Sequence, residues 1–174
     1  MLQFPPIQNI QSELTQLSEL LSTSYRAHYP QLWADQGEAY IAHSFAPEQF
    51  TQEMAADHSS FFWVEWETKR IGMLKLNVGK APDGSSAPQQ MELERIYFLP
   101  EATGKGIGQK AMDFIFAYAN EKGCRSIWLK TMQNSIALPF YQKCGFKIIG
   151  EEKLSFSAPL LVFDQMFVLE YSDL

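Results

Sequence analysis

Leu99-Pro100-Glu101-Ala102-Thr103-Gly104-Lys105-Gly106-Ile107-Gly108-Gln109 joins the end of a β-rich segment to the most regular helical stretch of the chain. Gly104, Gly106 and Gly108 tolerate positive φ and close backbone approach, so successive N–H groups can converge on an anion. The helix beginning beyond them adds partial positive charge at its N-terminus. That helix is predicted over 106–122, because Ile107, Ala111, Phe114, Ile115 and Tyr118 recur at helical spacing and Gly123 supplies a stop. Lys105 places a formal charge at the rim, with no acidic residue before Lys110, and a pyrophosphate suits such a turn. A Walker A loop is excluded, since no GxxxxGK followed by Ser or Thr can be drawn. Gly106-Ile107-Gly108-Gln109-Lys110-Ala111 does satisfy the relaxed dinucleotide spacing, but residues 126–130, about 20 positions on, offer no acidic ribose ligand. Glycines serving only a tight strand-to-helix turn are the plain alternative.

Upstream, residues 61–66 and 71–78 read as strands joined by a hairpin turn at 67–70, and 90–99 as a third strand stopped by Pro100. Between them, 79–88 is rich in Gly, Pro and Ser and reads as a loop. Near the start, Leu14, Leu17, Leu20, Leu21 and Ser24 form an amphipathic stripe over 12–25. Residues 31–57 carry Trp33, Tyr40, Ile41, Phe45, Phe50 and Met54 and predict one or two short helices interrupted at Pro47. Their aromatic side chains either line a pocket or pack onto the sheet. Downstream, the pattern predicts a strand at 126–130, a helix at 136–143 with Pro139 in its first turn, a strand at 146–150 and a last strand at 160–171. That last apolar strand suits either the core or pairing across a homodimer. The order describes an α/β or α+β chain built on a single sheet, in one domain over 1–174.

With 174 residues and 46% hydrophobic content the chain can bury its own core. A net charge of −6 argues against a nucleic-acid partner, which needs clustered Lys and Arg, and favours a cationic acceptor such as an amine or polyamine at long range. MLQFPPIQNI shows no basic segment followed by an apolar one, and no run is apolar enough to span a membrane, so a cytoplasmic location and no membrane partner are expected. Cys124 and Cys144 lack metal-site spacing and are expected to be reduced. His28, His43 and His58 form no HxxxH or HxH pair, so no metal is expected.

Two motifs together resemble a known family. Thr103-Gly104-Lys105-Gly106-Ile107-Gly108 is similar to the Q/R-x-x-G-x-G/A cofactor motif of the GNAT superfamily, with Thr103 departing from its first position. Asn134-Ser135-Ile136-Ala137-Leu138-Pro139-Phe140-Tyr141 and the following Gly145-Phe146 resemble the N-x-x-A-x-x-F-Y-x-x-x-G-F segment of the same family, about 30 residues on. Leu93 to Pro100 resembles the strand that precedes the turn, and the resemblance runs from Glu92 to Gly150. MELERIY and Asp164-Gln165-Met166 are similar to the bacterial spermine/spermidine acetyltransferase branch.

The resemblance implies a mixed, mostly antiparallel central sheet flanked by helices, the acyl-CoA N-acyltransferase fold. It implies acetyl-CoA as cosubstrate, held by residues of 90–150, with the acceptor side mainly in 20–60. Direct transfer of acetyl to a small-molecule primary amine, a polyamine or another, follows from it. Glu94 is the implied general base, directly or through water, and Tyr141 the implied acid for the leaving thiolate. Glu92 and Glu94 share a strand face by the period-two rule, and two close carboxylates raise one another's pKa. Backbone donors from Ile96, Tyr97 and Phe98 are implied at the carbonyl, which requires a splayed strand end. Thr103, Gly104, Lys105, Gly106, Ile107, Gly108 and Gln109 are implied at the pyrophosphate, and Asn134 as a polar anchor, although Asn before a helix is also a routine N-cap. Glu92, Trp33 and Tyr40 are acceptor candidates. Cys144 has no histidine partner in sequence, so it reads as a packing cysteine. A protein or peptide N-acetyltransferase and a non-catalytic CoA-binding sensor are the competing functions.

Overall fold

The computed structural model describes residues 1–154 and 165–174. The chain begins with β1 (Leu2–Gln3), α1 (Gln11–His28), a 3₁₀ turn (Pro30–Leu32), α2 (Glu38–Ser44) and α3 (Pro47–Met54). Strands β2 (Ser59–Trp66), β3 (Lys69–Lys80) and β4 (Ser86–Phe98) follow, then α4 (Ile107–Glu121), β5 (Ser126–Met132), α5 (Leu138–Lys143), β6 (Lys147–Lys153) and β7 (Gln165–Tyr171). They form one seven-stranded sheet in the order β1-β2-β3-β4-β5-β7-β6. Among the described residues only β4 and β5 run parallel, and every other neighbouring pair is antiparallel.

Alternation along β3 separates two cores. Met73 faces Leu17, Leu21, Trp33, Phe45 and Phe50 of the N-terminal helical region, whereas Leu74 and Leu76 face Ile107, Ala111 and Ile115 of α4. The helices thus cover both faces: α1, α2 and α3 on one, α4 and α5 on the other. Pro47 starts α3 at a position where a missing N–H costs nothing, and Pro139 likewise falls in the first turn of α5.

One expectation needs correction. Residues 79–88 form a hairpin: Lys80 pairs with Ser86, and Ala81 N–H donates to the Ser85 carbonyl at 2.9 Å. Asp83 accepts from Ser85 N–H at 2.9 Å and Gly84 takes φ of +82°, so the Asp-Gly pair supplies hairpin chemistry that composition alone had assigned to a loop. The last strand begins at Gln165 among the described residues, and positions 160–164 of the predicted strand lie outside them. It is paired on both sides, with β5 and β6, which leaves it no edge for pairing across a dimer.

Strand β4 carries the irregularity that matters. Lys75 pairs with Arg95 but Leu76 pairs with Leu93, so Glu94 is an extra residue, a β-bulge. Core-facing positions are therefore Met91, Leu93, Ile96 and Phe98, a two-three-two spacing visible in the sequence. Pairing of β4 with β5 runs only through Gln90, Met91 and Glu92. Beyond Glu92 the two strands separate, leaving a gap through the sheet.

Gly72 is held tightly against this strand. A methyl group there would lie 2.5 Å from the Tyr97 carbonyl oxygen and 2.7 Å from the Phe98 ring. Gly72→Ala is expected to destabilise the fold by about 1–3 kcal/mol, seen as a lower urea midpoint at unchanged slope.

Candidate functional site

The gap joins a cavity on each face of the sheet. On the α4 face, a cleft of about 430 Å³ is lined by Phe98, Thr103, Gly104, Gly106, Ile107, Gly108 and Gln109 together with Phe140, Lys143, Ser24 and His28. On the α1–α3 face, a cavity of about 250 Å³ is lined by Tyr25, Trp33, Tyr40, Glu92, Glu94, Arg95 and Lys130 among others. Tyr29, Ile96, Tyr97, Ala137 and Tyr141 line both.

The cleft is shaped by backbone. Gly104 and Gly106 have φ of +75° and +72°, and a Cβ at either would meet nothing within 4 Å. Conformation, not crowding, therefore requires glycine there. Lys110 N–H is the first to bond back into the helix, to the Gly106 carbonyl at 3.3 Å. By helix geometry the N–H groups of Gly106, Ile107, Gly108 and Gln109 precede that ladder and point out of the N-terminus. Lys105 is turned away, its ammonium 4.8 Å from the Trp66 ring centre, and it does not line the cleft. Asn134 is exposed and lines neither cavity. Nor does it cap α5, where the Ser135 hydroxyl oxygen accepts from Ala137 N–H at 3.1 Å.

Strand β4 supplies the wall between the cavities. Leu99 N–H donates to the Ile71 carbonyl at 2.8 Å. Antiparallel alternation then turns Tyr97 and Arg95 towards β3, and directs the N–H and C=O of Ile96 and Phe98 to the side β5 has left. The Phe98 carbonyl is met by the Ser24 hydroxyl of α1, which donates at 2.7 Å. Ile96 and Phe98 thus present backbone donors at the gap, while Tyr97 contributes its ring.

Beneath the second cavity lies a buried charge network that the bulge assembles. Asn77 Nδ2 donates to Glu92 Oε2 at 2.7 Å and to Glu94 Oε2 at 2.6 Å, so the two carboxylates do lie together. Lys75 Nζ donates to Glu94 Oε1 at 2.7 Å and Glu53 Oε2 at 2.8 Å, and Lys80 Nζ to Glu92 Oε2 at 2.7 Å. Arg95 makes a two-pronged pair with Glu53 at 2.7 and 3.0 Å. The expectation of a raised carboxyl pKa fails at Glu94. Burial pushes it upward, but the charges of Arg95 and Lys75 and the hydrogen bonds from Lys75 and Asn77 outweigh burial and hold it below the usual carboxylate range. Glu53 is held low in the same way by Arg95 and Lys75.

Burial, with smaller contributions from Tyr29 and Cys144, drives the Tyr141 hydroxyl well above a free phenol's pKa. It stays protonated throughout the working range and is a weaker acid than a free phenol. Cys144 packs against the α4-side core, with a loose polar contact of 3.9 Å to Gln109 Oε1. Sequence reasoning missed Lys75 and Asn77, although their signal was present: two polar residues, two apart, interrupt the apolar run of a central strand. Tyr25, Tyr29, Ser24 and Arg95 were also missed, because only packing reveals what a helix face or a bulge turns inward.

Two cavities thus meet at a gap in the sheet, one lined by the glycine turn and the β4 backbone and the other by aromatic and charged side chains. Residues 14–146 match the acetyltransferase (GNAT) family, and the chain belongs to that family of N-acetyltransferases. The chain is 25% identical over 142 residues to a spermidine N(1)-acetyltransferase of Thermoplasma acidophilum, covering 78% of this chain and 83% of that protein. It is 28% identical over 100 residues to an uncharacterized N-acetyltransferase of Lactobacillus delbrueckii, a match spanning 57% of this chain and 58% of the relative's length. The fold is similar to that of the PaiA N-acetyltransferase from Thermoplasma acidophilum in complex with coenzyme A, with a TM-score of 0.76, 21% identity and 99% of both chains covered.

The lowered carboxyls carry a stability consequence. A group whose pKa is depressed by folding stabilises the native state above its unfolded pKa, and that contribution is lost as pH falls through the folded value. Stability should therefore decline as pH drops below about 4.3, and Glu94→Gln should make that decline shallower in denaturation midpoints measured against pH.

Proposed function

We propose that the chain transfers an acetyl group from acetyl-coenzyme A to the primary amine of a small molecule, by direct transfer within one domain. Residues 90–150 supply the cofactor side and 20–60 most of the acceptor side. The observation that carries this reading is the pair of cavities sharing Tyr141 and the edge of β4 that β5 leaves beyond Glu92. Coenzyme A fits the residues present. The positive-φ glycine turn and the free N–H groups of Gly106 to Gln109 suit a pyrophosphate, and the open β4 edge suits the amide-bearing pantetheine arm as an added strand partner. Acetyl-coenzyme A supplies an activated thioester carbonyl.

The chain's own residues then have distinct tasks. The N–H groups of Ile96 and Phe98 offer preorganised donors for developing oxyanion charge. Tyr141 keeps its proton on Oη and donates a hydrogen bond towards the leaving sulfur. Glu94, ionised and fixed by Lys75 and Asn77, accepts a hydrogen bond from the amine or from a water beside it. It guides the proton outward and is too weak a base to retain it. Thr103, which lines the cleft, keeps a backbone donor where the family motif places a longer polar side chain. Lys105 and Asn134 stand outside the lining and have lesser parts.

Titration calorimetry with acetyl-coenzyme A, followed by thiol release over amines, amino acids and peptides, tests the proposal. Binding with no release on any acceptor would favour a sensor, release only on peptides would favour a protein acetyltransferase, and no binding would end the proposal. Tyr141→Phe should lower kcat by about 10²-fold with little change in acetyl-coenzyme A affinity; an unchanged kcat would remove Tyr141 from the reaction. Because Glu94 is ionised well below neutrality, the rising limb of kcat/KM against pH should follow the acceptor's own ammonium and move when the acceptor is exchanged.

A further inference from the structure

The described charged groups lining the acceptor cavity are all matched from within the protein. Glu92 is paired with Lys80 at 2.7 Å, Glu94 with Lys75 at 2.7 Å, Arg95 with Glu53 at 2.7 Å, and Lys130 with Glu152 at 2.6 Å. Among the described residues, no carboxylate of the lining is left over for a second ammonium, and no cation is left over for a carboxylate. The rest of the wall mixes aliphatic, Met, Ser and Thr side chains with six rings, those of Tyr25, Tyr29, Trp33, Tyr40, Tyr97 and Tyr141. Tyr40 stacks on Tyr25 at 4.9 Å and on Trp33 at 5.2 Å between ring centres, and Trp33 Nε1 donates to the Tyr25 hydroxyl at 2.8 Å. With Trp33 1% and Tyr25 5% exposed, little of either ring face is available to a cation, which binds over faces and not edges. Tyr29 and Tyr97 stand nearly perpendicular at 6.0 Å, an arrangement that receives a third ring edge to face.

Size agrees with this chemistry. A cavity of about 150 Å³ holds one benzene, so about 250 Å³ here accommodates a ring with a short alkylamine arm. We infer that the acceptor is a monoamine with a flat, uncharged body, an arylalkylamine, and not a polyamine or a free amino acid. This rests on the acetyl-transfer reading above. The net charge of −6 attracts any amine from a distance, whereas the paired groups inside select for one charge only.

The test is thiol release by the intact protein with acetyl-coenzyme A and four acceptors: phenethylamine, spermidine, phenylalanine and butylamine. Phenethylamine should show kcat/KM at least tenfold above each of the others. Tyr40→Leu should bring the phenethylamine to butylamine ratio down towards one without altering acetyl-coenzyme A binding. Spermidine or phenylalanine equal to or above phenethylamine would overturn the inference while leaving acetyl transfer intact. So would butylamine turnover with no gain from the ring, or acetyl-coenzyme A binding without turnover of phenethylamine. Failure to bind acetyl-coenzyme A would overturn the underlying reading and the inference with it.

Discussion

Between Glu92 and Phe98, strand β4 has, among the described residues, a sheet partner on one side only. A backbone edge buried without partners is costly, and the molecule is arranged around that cost. The parallel contact with β5 is short, α1 reaches across to satisfy the Phe98 carbonyl, and the glycine turn brings the start of α4 to the same opening. Each face of the sheet then contributes a cavity, and the two meet where the sheet is incomplete. Without the divergence of β4 from β5 there would be two unrelated depressions.

The bulge at Glu94 is the second constraint. It shifts the alternation of β4 by one residue, so that Arg95 joins Glu92 and Glu94 over the same part of β3. Lys75 and Asn77, buried in a central strand, become tolerable only because carboxylates meet them there; removing one partner of such a set leaves an uncompensated charge. The network consequently holds Glu94 ionised and rigid. That favours a role in orienting an amine or water over a role as a strong base.

Much of this was legible in the sequence. The glycine turn followed by Ile107, Ala111 and Ile115 fixed the strand-to-helix junction, and the Asn134 to Phe146 segment identified the element that brings Tyr141 to it. The spacing of Met91, Leu93, Ile96 and Phe98 held the bulge, but period-two reading passes over a single-residue shift. Lys105 and Asn134 were assigned from their place in a motif, and the side-chain directions that set them apart depend on Trp66 and on the turn at Ser135. The hairpin at Lys80 to Ser86 was hidden by its composition, since the Gly, Pro and Ser that mark loops also mark tight turns. Tyr25 lay on a helix, and Tyr29 at the end of the same helix, whose leucine stripe drew attention to the opposite requirement, burial.

The Ser24 to Phe98 hydrogen bond has a consequence for engineering. Four of the rings of the acceptor wall, Tyr25, Tyr29, Trp33 and Tyr40, come from a contiguous N-terminal stretch, and the glycine cradle comes from a separate one, so those four can be grafted without rewriting the cradle. Ser24 is the seam between them, because its hydroxyl completes a strand that belongs to the other half. A transplanted N-terminal region that lacks a donor at this position would leave the Phe98 carbonyl unmet and disturb the edge on which both halves depend.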